Sequence, residues 1–210
     1  MKYWIITLWI ISIELYAQSN TLQLAKIACD HDEAWGCSTL AQHYEKTKHS
    51  VQGWQKTLYF YEKACHGHHG LGRGKSCFHL AELYRHADRV EQNLSKSLKL
   101  YEKTCNIGLQ KGCTHAGILH EEGQGVEKSL HKAKQFYRKG CGSEAVKIRL
   151  SKEYIAPDSE ACYRLGKFYE YGINVKQDRQ EAARLYKVAC KRDFLQGCSD
   201  LKKLIGSNEL

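Results

Sequence analysis

The chain has 210 residues, of which 42% are hydrophobic and 26% are charged, and its formal net charge is +9 at pH 7. This composition excludes an intrinsically disordered chain, and the length suffices for one domain with a buried core. The positive charge predicts attraction to anionic partners such as wall polymers, lipid head groups or acidic proteins, and solubility alone explains it equally well.

The N-terminus has the pattern of a secretory signal peptide. Lys2 is followed by an apolar run from Tyr3 to Ile13 and then by Ala17, a small residue that a signal peptidase accepts. The run is too short to span a bilayer, and no later stretch approaches the roughly 18 apolar residues of a membrane helix. We therefore predict a signal peptide over residues 1–17 and an exported mature chain over residues 18–210, in the periplasm or outside the cell.

Ten cysteines divide the rest of the chain into an internal repeat. From the second cysteine of one pair to the first of the next, the separation is always 28 residues, whereas the separations within pairs are 8, 12, 8, 21 and 8. A constant block with variable joints indicates a repeat in which every length change falls at one kind of joint. The predicted blocks are 37–65, 77–105, 113–141 and 162–190, with half-repeats at both ends.

Each block predicts a helix hairpin. The residues three, four and seven after the opening cysteine are mostly apolar or small, which is helical spacing. A tyrosine stands four residues before every closing cysteine, and we assign these tyrosines to the core. Stacked hairpins of this length predict an all-α fold, an α/α solenoid. The four tyrosines are Tyr61, Tyr101, Tyr137 and Tyr186.

The joints between blocks predict five disulfides. Each joint brings the end of one helix to the start of the next, close enough for a disulfide if the turn is tight. Pairing across each 28-residue hairpin is the rival, but it would leave Cys29 and Cys198 unpaired in the oxidising compartment that export implies. Zinc binding is disfavoured because the spacing is not that of a zinc site. The predicted pairs are Cys29–Cys37, Cys65–Cys77, Cys105–Cys113, Cys141–Cys162 and Cys190–Cys198.

Two stretches carry a resemblance to a known family: GCTHAGILHEEGQGVEKSLHKAKQFYRKGC, which begins at Gly112, and ACYRLGKFYEYGINVKQDRQEAARLYKVAC, which begins at Ala161. They resemble Sel1-like repeats, which are related to tetratricopeptide repeats. With the cysteines and the signal pattern, they resemble the secreted Helicobacter cysteine-rich proteins. The resemblance implies an α/α solenoid with one disulfide per turn and a scaffold role. That family is also labelled as penicillin-binding proteins or β-lactamases, so the resemblance implies β-lactam hydrolysis as an alternative function.

The sequence itself offers little for catalysis. Ser129 and Lys132 match the S-x-x-K motif of serine β-lactamases, but no S-D-N or K-T-G element is present, and about one such match is expected by chance in this composition. A residue near a helix start is the simpler interpretation of Ser129. We expect no cofactor, and an enzymatic activity would be β-lactam hydrolysis by resemblance only, with its catalytic residues unassigned.

One long joint, residues 66–76, is rich in histidine. A transition metal could bind these side chains, although incidental histidines on a surface loop are the simpler interpretation. The histidines are His66, His68 and His69.

The other long joint, residues 142–161, predicts an extra helix from Ser143 to Tyr154. This helix is interpreted either as a recognition element for a partner or as a simple insertion.

The first helix of each hairpin also predicts a binding stripe. In stacked helix pairs this helix usually lines the concave side, and the residues two, five and nine after the opening cysteine form its non-core face. Its histidines and basic residues predict binding of a peptide, a protein or an anionic cell-wall ligand, with binding of an anion strengthened in mild acid as histidines gain charge. We expect no nucleic-acid partner and a monomeric protein. The candidate ligand-binding residues are His79, His86, His115, Arg164, Lys167 and Tyr171, and Ile118 belongs to the same stripe.

Overall fold

A computed structural model of the chain describes residues 20–47, 50–67, 72–87, 90–142 and 157–206. The signal peptide predicted over residues 1–17, His68 and His69, and the helix predicted from Ser143 to Tyr154 lie outside these residues. The described ranges contain ten helices and no strand. The helices are α1 (20–30), α2 (Ala34–Thr47), α3 (Val51–His66), α4 (Arg73–His86), α5 (Leu94–Asn106), α6 (Gln110–Glu122), α7 (Leu130–Cys141), α8 (Ser159–Tyr171), α9 (Arg179–Cys190) and α10 (Leu195–Ile205).

The chain forms two compact units that divide between Leu80 and Ala81, within α4. In the first unit, α2 packs against α3. In the second unit, each helix from α5 to α10 packs against the next one along the chain, and α6 also contacts α8. Packing between near neighbours in sequence is the defining feature of a solenoid. The predicted all-α fold, an α/α solenoid of helix hairpins stapled by disulfides, is confirmed. No helix of the described ranges combines the length and hydropathy that a bilayer span requires.

Polar residues fix where five of the helices begin. Each accepts a hydrogen bond from the backbone N–H three residues further on, which satisfies one of the amides that a helix start leaves without a partner. These N-caps are Ser50, Asn93, Ser129, Asp158 and Asp178.

The hairpin tyrosines lie in the core, and small residues make room for them. All four tyrosine side chains are fully buried. A Cβ atom at Gly117 would lie 2.5 Å from Cε1 of Tyr137, and one at Gly166 would lie 2.6 Å from Cε1 of Tyr186. Carbon atoms do not approach so closely, so glycine allows the first helix of these two hairpins to pack directly against the tyrosine ring.

The ten cysteines form five disulfides in the structure, and none is free. Each disulfide joins the end of one hairpin to the start of the next, with Cα–Cα distances from 4.5 Å at Cys29–Cys37 to 4.7 Å at Cys65–Cys77. The other three pairs are Cys105–Cys113, Cys141–Cys162 and Cys190–Cys198. Every pair therefore closes a joint, and none spans a hairpin.

Candidate functional site

Every hairpin tyrosine donates its hydroxyl hydrogen to a carboxylate on the first helix of its own hairpin. Burial of the tyrosine, followed by the hydrogen bond to the carboxylate, raises the pKa of each phenol, so the tyrosines remain protonated donors. In each hairpin a buried tyrosine ring therefore anchors an acidic side chain on the first helix. The pairs are Tyr61–Glu45 at 2.7 Å, Tyr186–Glu170 at 2.5 Å, Tyr101–Glu82 and Tyr137–Glu121.

The sequence interpretation missed these glutamates, although a signal for them exists. Glu45, Glu121 and Glu170 each stand eight residues after the opening cysteine of their hairpin. In the remaining hairpin that position holds Arg85, and Glu82, one helical turn earlier, accepts the tyrosine hydroxyl instead. The acidic partner is thus a property of every hairpin, while its position on the helix varies.

In the hairpins that open at Cys77, Cys113 and Cys162, the residue two after the cysteine lies against the tyrosine ring of the preceding hairpin. In the first unit, His79 stacks on Tyr61 with ring centroids 5.7 Å apart. In the second unit, His115 stacks on Tyr101 at 5.0 Å, and the Arg164 guanidinium lies 5.9 Å from the centre of the Tyr137 ring. Part of the predicted stripe therefore belongs to the packing between successive hairpins.

His115 is the most enclosed of the candidate residues. Nη1 of Arg85 donates a hydrogen bond to Nδ1 of His115 at 2.9 Å, and Oε1 of Glu82 lies 3.8 Å from the same nitrogen. Burial lowers the pKa of His115, and the nearby carboxylates only partly oppose this effect. Mild acid is therefore expected to add less charge at His115 than at an exposed histidine, because its burial favours the neutral ring.

Arg164 joins two successive first helices. Its Nε donates to Oε1 of Glu160 at 2.9 Å, and its Nη1 donates to Oε2 of Glu121 at 3.1 Å. Glu160 precedes Arg164 on α8, while Glu121 lies on α6 and also accepts the Tyr137 hydroxyl. The guanidinium is therefore held in one position by two carboxylates and one ring.

The C-terminal part of the stripe is more open. The Lys167 ammonium lies 5.6 Å from the centre of the Tyr163 ring and 5.3 Å from that of Tyr171, distances typical of cation–π contacts. Oδ2 of Asp200 lies 3.8 Å from the same ammonium and accepts the Tyr163 hydroxyl at 3.0 Å. Tyr171 is 60% exposed, so this end presents an aromatic residue to solvent beside the Lys167 ammonium.

A family model, Sel1 repeat, matches residues 74–109, 111–142 and 159–194. The chain is a Sel1-repeat protein. The predicted resemblance to Sel1-like repeats is thereby confirmed, and the cysteine and tyrosine spacing extends the same pattern to the hairpin of α2 and α3.

Solved structures of other Sel1-repeat proteins share the fold. The chain is similar to c5321, a protective antigen of uropathogenic Escherichia coli that displays an SLR fold, with 20% identity and a TM-score of 0.70 over 87% of this chain and 36% of that one. It therefore spans about a third of the length of c5321. A Sel1 repeat protein from Oxalobacter formigenes has 22% identity and a TM-score of 0.68, over 92% of this chain and 74% of that one.

Cysteine rich protein B (hcpB) of Helicobacter pylori is 30% identical, with a TM-score of 0.45 over 60% of this chain and 89% of that one. No curated protein sequence matches the chain.

The six candidate residues of this Sel1-repeat chain divide into four groups. His86, which is exposed, and His115 both lie beside Glu82, with His86 Nε2 3.1 Å from Oε2 of that carboxylate. Lys167 and Tyr171 lie together at the open end of the stripe, and Arg164 lies in the ion-pair network between α6 and α8. His79 is exposed in the first unit and contacts Tyr61 there.

One residue of the predicted stripe is not available to a ligand. Ile118 is 4% exposed and belongs to the core cluster around Tyr137 and Phe168. Its assignment to the binding stripe is therefore wrong, because α6 is covered on this side by the neighbouring helix α8, with which it makes contact.

The structure gives Ser129 a capping role. Its Oγ accepts the backbone N–H of Lys132 at 3.4 Å and its backbone carbonyl accepts that of Ala133, which together begin α7. These contacts explain the presence of Ser129 at this position as a helix cap, with no need for a catalytic role. Within the described ranges, no group of three or more His, Cys, Asp or Glu side chains is arranged to hold a metal ion.

Proposed function

We propose that this disulfide-rich Sel1-repeat scaffold is exported and binds an extended peptide segment of a partner protein on the first helices of its second unit. The binding surface, called here the first-helix surface, consists of His86, His115, Arg164, Lys167 and Tyr171. The observation that carries the proposal is the exposed Tyr171 ring beside the Lys167 ammonium, at the end of a network of fixed polar side chains.

The ion pairs of this surface support recognition of a partner rather than bulk attraction. Arg164 is held by Glu121 and Glu160, and Lys167 lies between two tyrosine rings and Asp200. Side chains that are already ordered lose little conformational entropy when a ligand binds. Because these cations lie beside carboxylates at fixed positions, they favour one register of a bound peptide and disfavour mismatched partners.

Tyr171 supplies the anchor that this surface needs. Tyrosine is among the residues that carry most of the binding energy of protein interfaces, because its ring buries a large area at a small entropic cost. Because Tyr171 is 60% exposed, it has area left to bury. An apolar or aromatic peptide side chain placed on this ring would displace water without disturbing the core.

A selection of random peptides on the folded protein tests the proposal. Peptides selected on the wild-type chain should bind Tyr171→Ser at least about fivefold more weakly, since an interface tyrosine contributes upwards of about 1 kcal/mol. The matched control is Tyr59→Ser, which removes a ring of similar exposure, 57%, from α3. Equal affinity of the selected peptides for wild type and Tyr171→Ser would contradict the proposal.

A cell-wall-derived ligand is the alternative occupant of the same surface. A sugar ring can also stack on Tyr171, and a fragment carrying carboxylates can pair with Lys167. Soluble peptidoglycan fragments tested on the same two tyrosine variants separate the two classes. Binding of these fragments that depends on Tyr171, with no peptide selected, would favour the wall-derived ligand.

Export is supported by the five disulfides, since such bonds persist in oxidising compartments and are rare in the cytosol. N-terminal sequencing of protein recovered from the periplasm and from the medium tests this. We expect the mature chain to begin at Gln18. Protein that is recovered only from the cytosol with residues 1–17 attached would contradict export.

A further inference from the structure

The positive charge of the second unit is concentrated on the second helix of each hairpin. The helices α5, α7 and α9 hold ten lysines and arginines and two acidic residues, whereas α6, α8 and α10 hold five basic and five acidic residues. Helix α7 has four basic residues and no acidic one. The first helices are therefore neutral as a set, and the second helices are strongly basic.

Several of these cations are exposed and have no carboxylate partner within the part of the chain that the structure describes. The ion pairs of the second unit lie mostly on the first helices, around Glu82, Glu121 and Asp200. Five basic side chains of α5, α7 and the end of α9 are exposed and take part in none of the ion pairs among the described residues. They form what is called here the second-helix surface: Lys99, Lys132, Arg138, Lys187 and Lys191.

Contacts between hairpins place α5, α7 and α9 in successive layers. Oγ of Ser95, at the start of α5, donates to the Gly125 carbonyl in the loop before α7 at 2.8 Å. In the same way, Nζ of Lys134 on α7 donates to the Asn174 carbonyl in the loop before α9 at 2.7 Å. Each second helix thus lies beside the loop that leads into the next, and the exposed cations recur from layer to layer.

A comparison of the same position in the four hairpins shows which second helices carry a basic residue there. Arg138 and Lys187 both stand three residues before the closing cysteine of their hairpins, and Glu62 and Glu102 occupy that position in the two earlier hairpins. The hairpin therefore accepts either charge at this position. A packing requirement does not explain the basic residues, because glutamate satisfies it elsewhere in the chain.

We propose that the second-helix surface binds a linear acidic polysaccharide, whose carboxylate or sulfate groups pair with the exposed lysines and arginines. Exposed cations that recur over successive layers match a flexible chain of repeated negative charges. A lipid bilayer fits less well, because the described residues of α5, α7 and α9 include no large exposed hydrophobic side chain to enter the lipid. This site is separate from the first-helix surface and does not rest on the peptide-binding proposal.

Heparin, a soluble sulfated polysaccharide, is the probe for this site. The wild-type protein should bind it at physiological ionic strength, with affinity that falls as salt screens the charges. The double variant Arg138→Glu/Lys187→Glu should bind at least about tenfold more weakly, since it converts two contacts into repulsions. The control Lys111→Glu/Lys202→Glu, on exposed positions of α6 and α10, changes the net charge equally and should lose less than about threefold.

Three results would overturn the proposal: no heparin binding by the wild type, an equal loss in both double variants, or tighter binding to phosphatidylglycerol vesicles than to heparin. Circular dichroism checks that each variant is folded. If Arg138→Glu/Lys187→Glu unfolds, the variant Lys99→Glu/Lys191→Glu takes its place with the same expected loss. Heparin binding that is unchanged in this second variant would also overturn the site.

Discussion

The first-helix and second-helix surfaces of the second unit use similar residue types in different electrostatic states. Arg164 on α8 is held between two carboxylates, whereas Arg138 on α7 is exposed on a helix without an acidic residue. Each hairpin of the second unit contributes its first helix to one set of residues and its second helix to the other set. The difference shows that the net charge of a repeat protein does not say which of its surfaces recognises a partner, since ion pairing neutralises one surface and leaves the other basic.

The packing of the helices explains why the two surfaces differ. Helices α6 and α8 are in contact, so Arg164 on one reaches Glu121 on the other. Side chains that meet across layers in this way must be complementary in charge or shape, because leaving a half-buried charge without a partner is costly. The exposed side chains of α7 meet no such requirement, so their charge is free to serve a ligand.

The largest expected effect on stability comes from removing one of the disulfides that join successive hairpins. The variant Cys141→Ser/Cys162→Ser removes the disulfide across the 21-residue joint. We expect the free energy of unfolding to fall by about 3 kcal/mol, because the joint no longer restricts the unfolded chain. Urea unfolding at equilibrium measures this. A change below about 0.5 kcal/mol would show that helix packing alone holds the joint.

Peptide mapping without reduction checks the disulfide connectivity directly. We expect the five local bridges, each closing a joint between hairpins. A bridge such as Cys37–Cys65, which spans a hairpin, would contradict this arrangement.

A matched pair of arginine variants sharpens the comparison of the two surfaces. Arg164→Ala should lower the free energy of unfolding by about 1–2 kcal/mol, because it leaves two carboxylates without their shared partner. Arg138→Ala should change it by less than about 0.5 kcal/mol, as is usual for an exposed side chain. Both are measured by urea unfolding. Similar losses in the two variants would remove the distinction between a paired and an unpaired surface.

Ser129→Ala tests whether α7 needs its serine only as a cap. We expect a loss of about 1 kcal/mol in the free energy of unfolding, since the N-cap hydrogen bond disappears. Any nitrocefin hydrolysis by the protein should be unchanged. If turnover fell by about a hundredfold while the variant remained folded, Ser129 would have to be reconsidered as a nucleophile.

The smallest expected effect is a difference in pH dependence. Burial lowers the pKa of His115 in the folded protein, so below about pH 6.5 the unfolded chain binds a proton that the folded one resists. Stability should therefore fall as the pH decreases from 7 towards 5, and His115→Gln should show a smaller fall. His131→Gln, on the exposed surface of α7, is the control and should behave as the wild type. An identical pH profile for His115→Gln and the wild type would contradict the buried, neutral histidine.

The sequence predicted the fold because the fold depends on features that repeat at a fixed spacing. The cysteines mark every joint, and the tyrosines mark every second helix, so neither required knowledge of the tertiary structure. The helical spacing also marked the small residues on the first helices, but their contact with the tyrosine rings, as of Gly166 with Tyr186, is visible only in the structure.

The surfaces were harder to predict because they depend on contacts between layers. From the sequence alone, Glu121 is expected to be a solvated residue, and only the structure shows its contacts with Arg164 and Tyr137. In the hairpin of Tyr101 the acidic residue is Glu82, three residues before the expected position, so the contact is kept in space while the sequence pattern is broken. The burial of His115 depends on Arg85, which belongs to another helix, so a stripe drawn on α6 alone could not reveal it.

The measurement that tests the two-surface account most directly is peptide affinity in the presence of heparin. A peptide selected on the wild-type protein is titrated with and without saturating heparin at physiological ionic strength. Because the first-helix surface contains Tyr171 and the second-helix surface contains Arg138 and Lys187, we expect the two ligands to bind together and the peptide affinity to change by less than about twofold. Displacement of the peptide by heparin would contradict the account, since it would place both ligands on one surface.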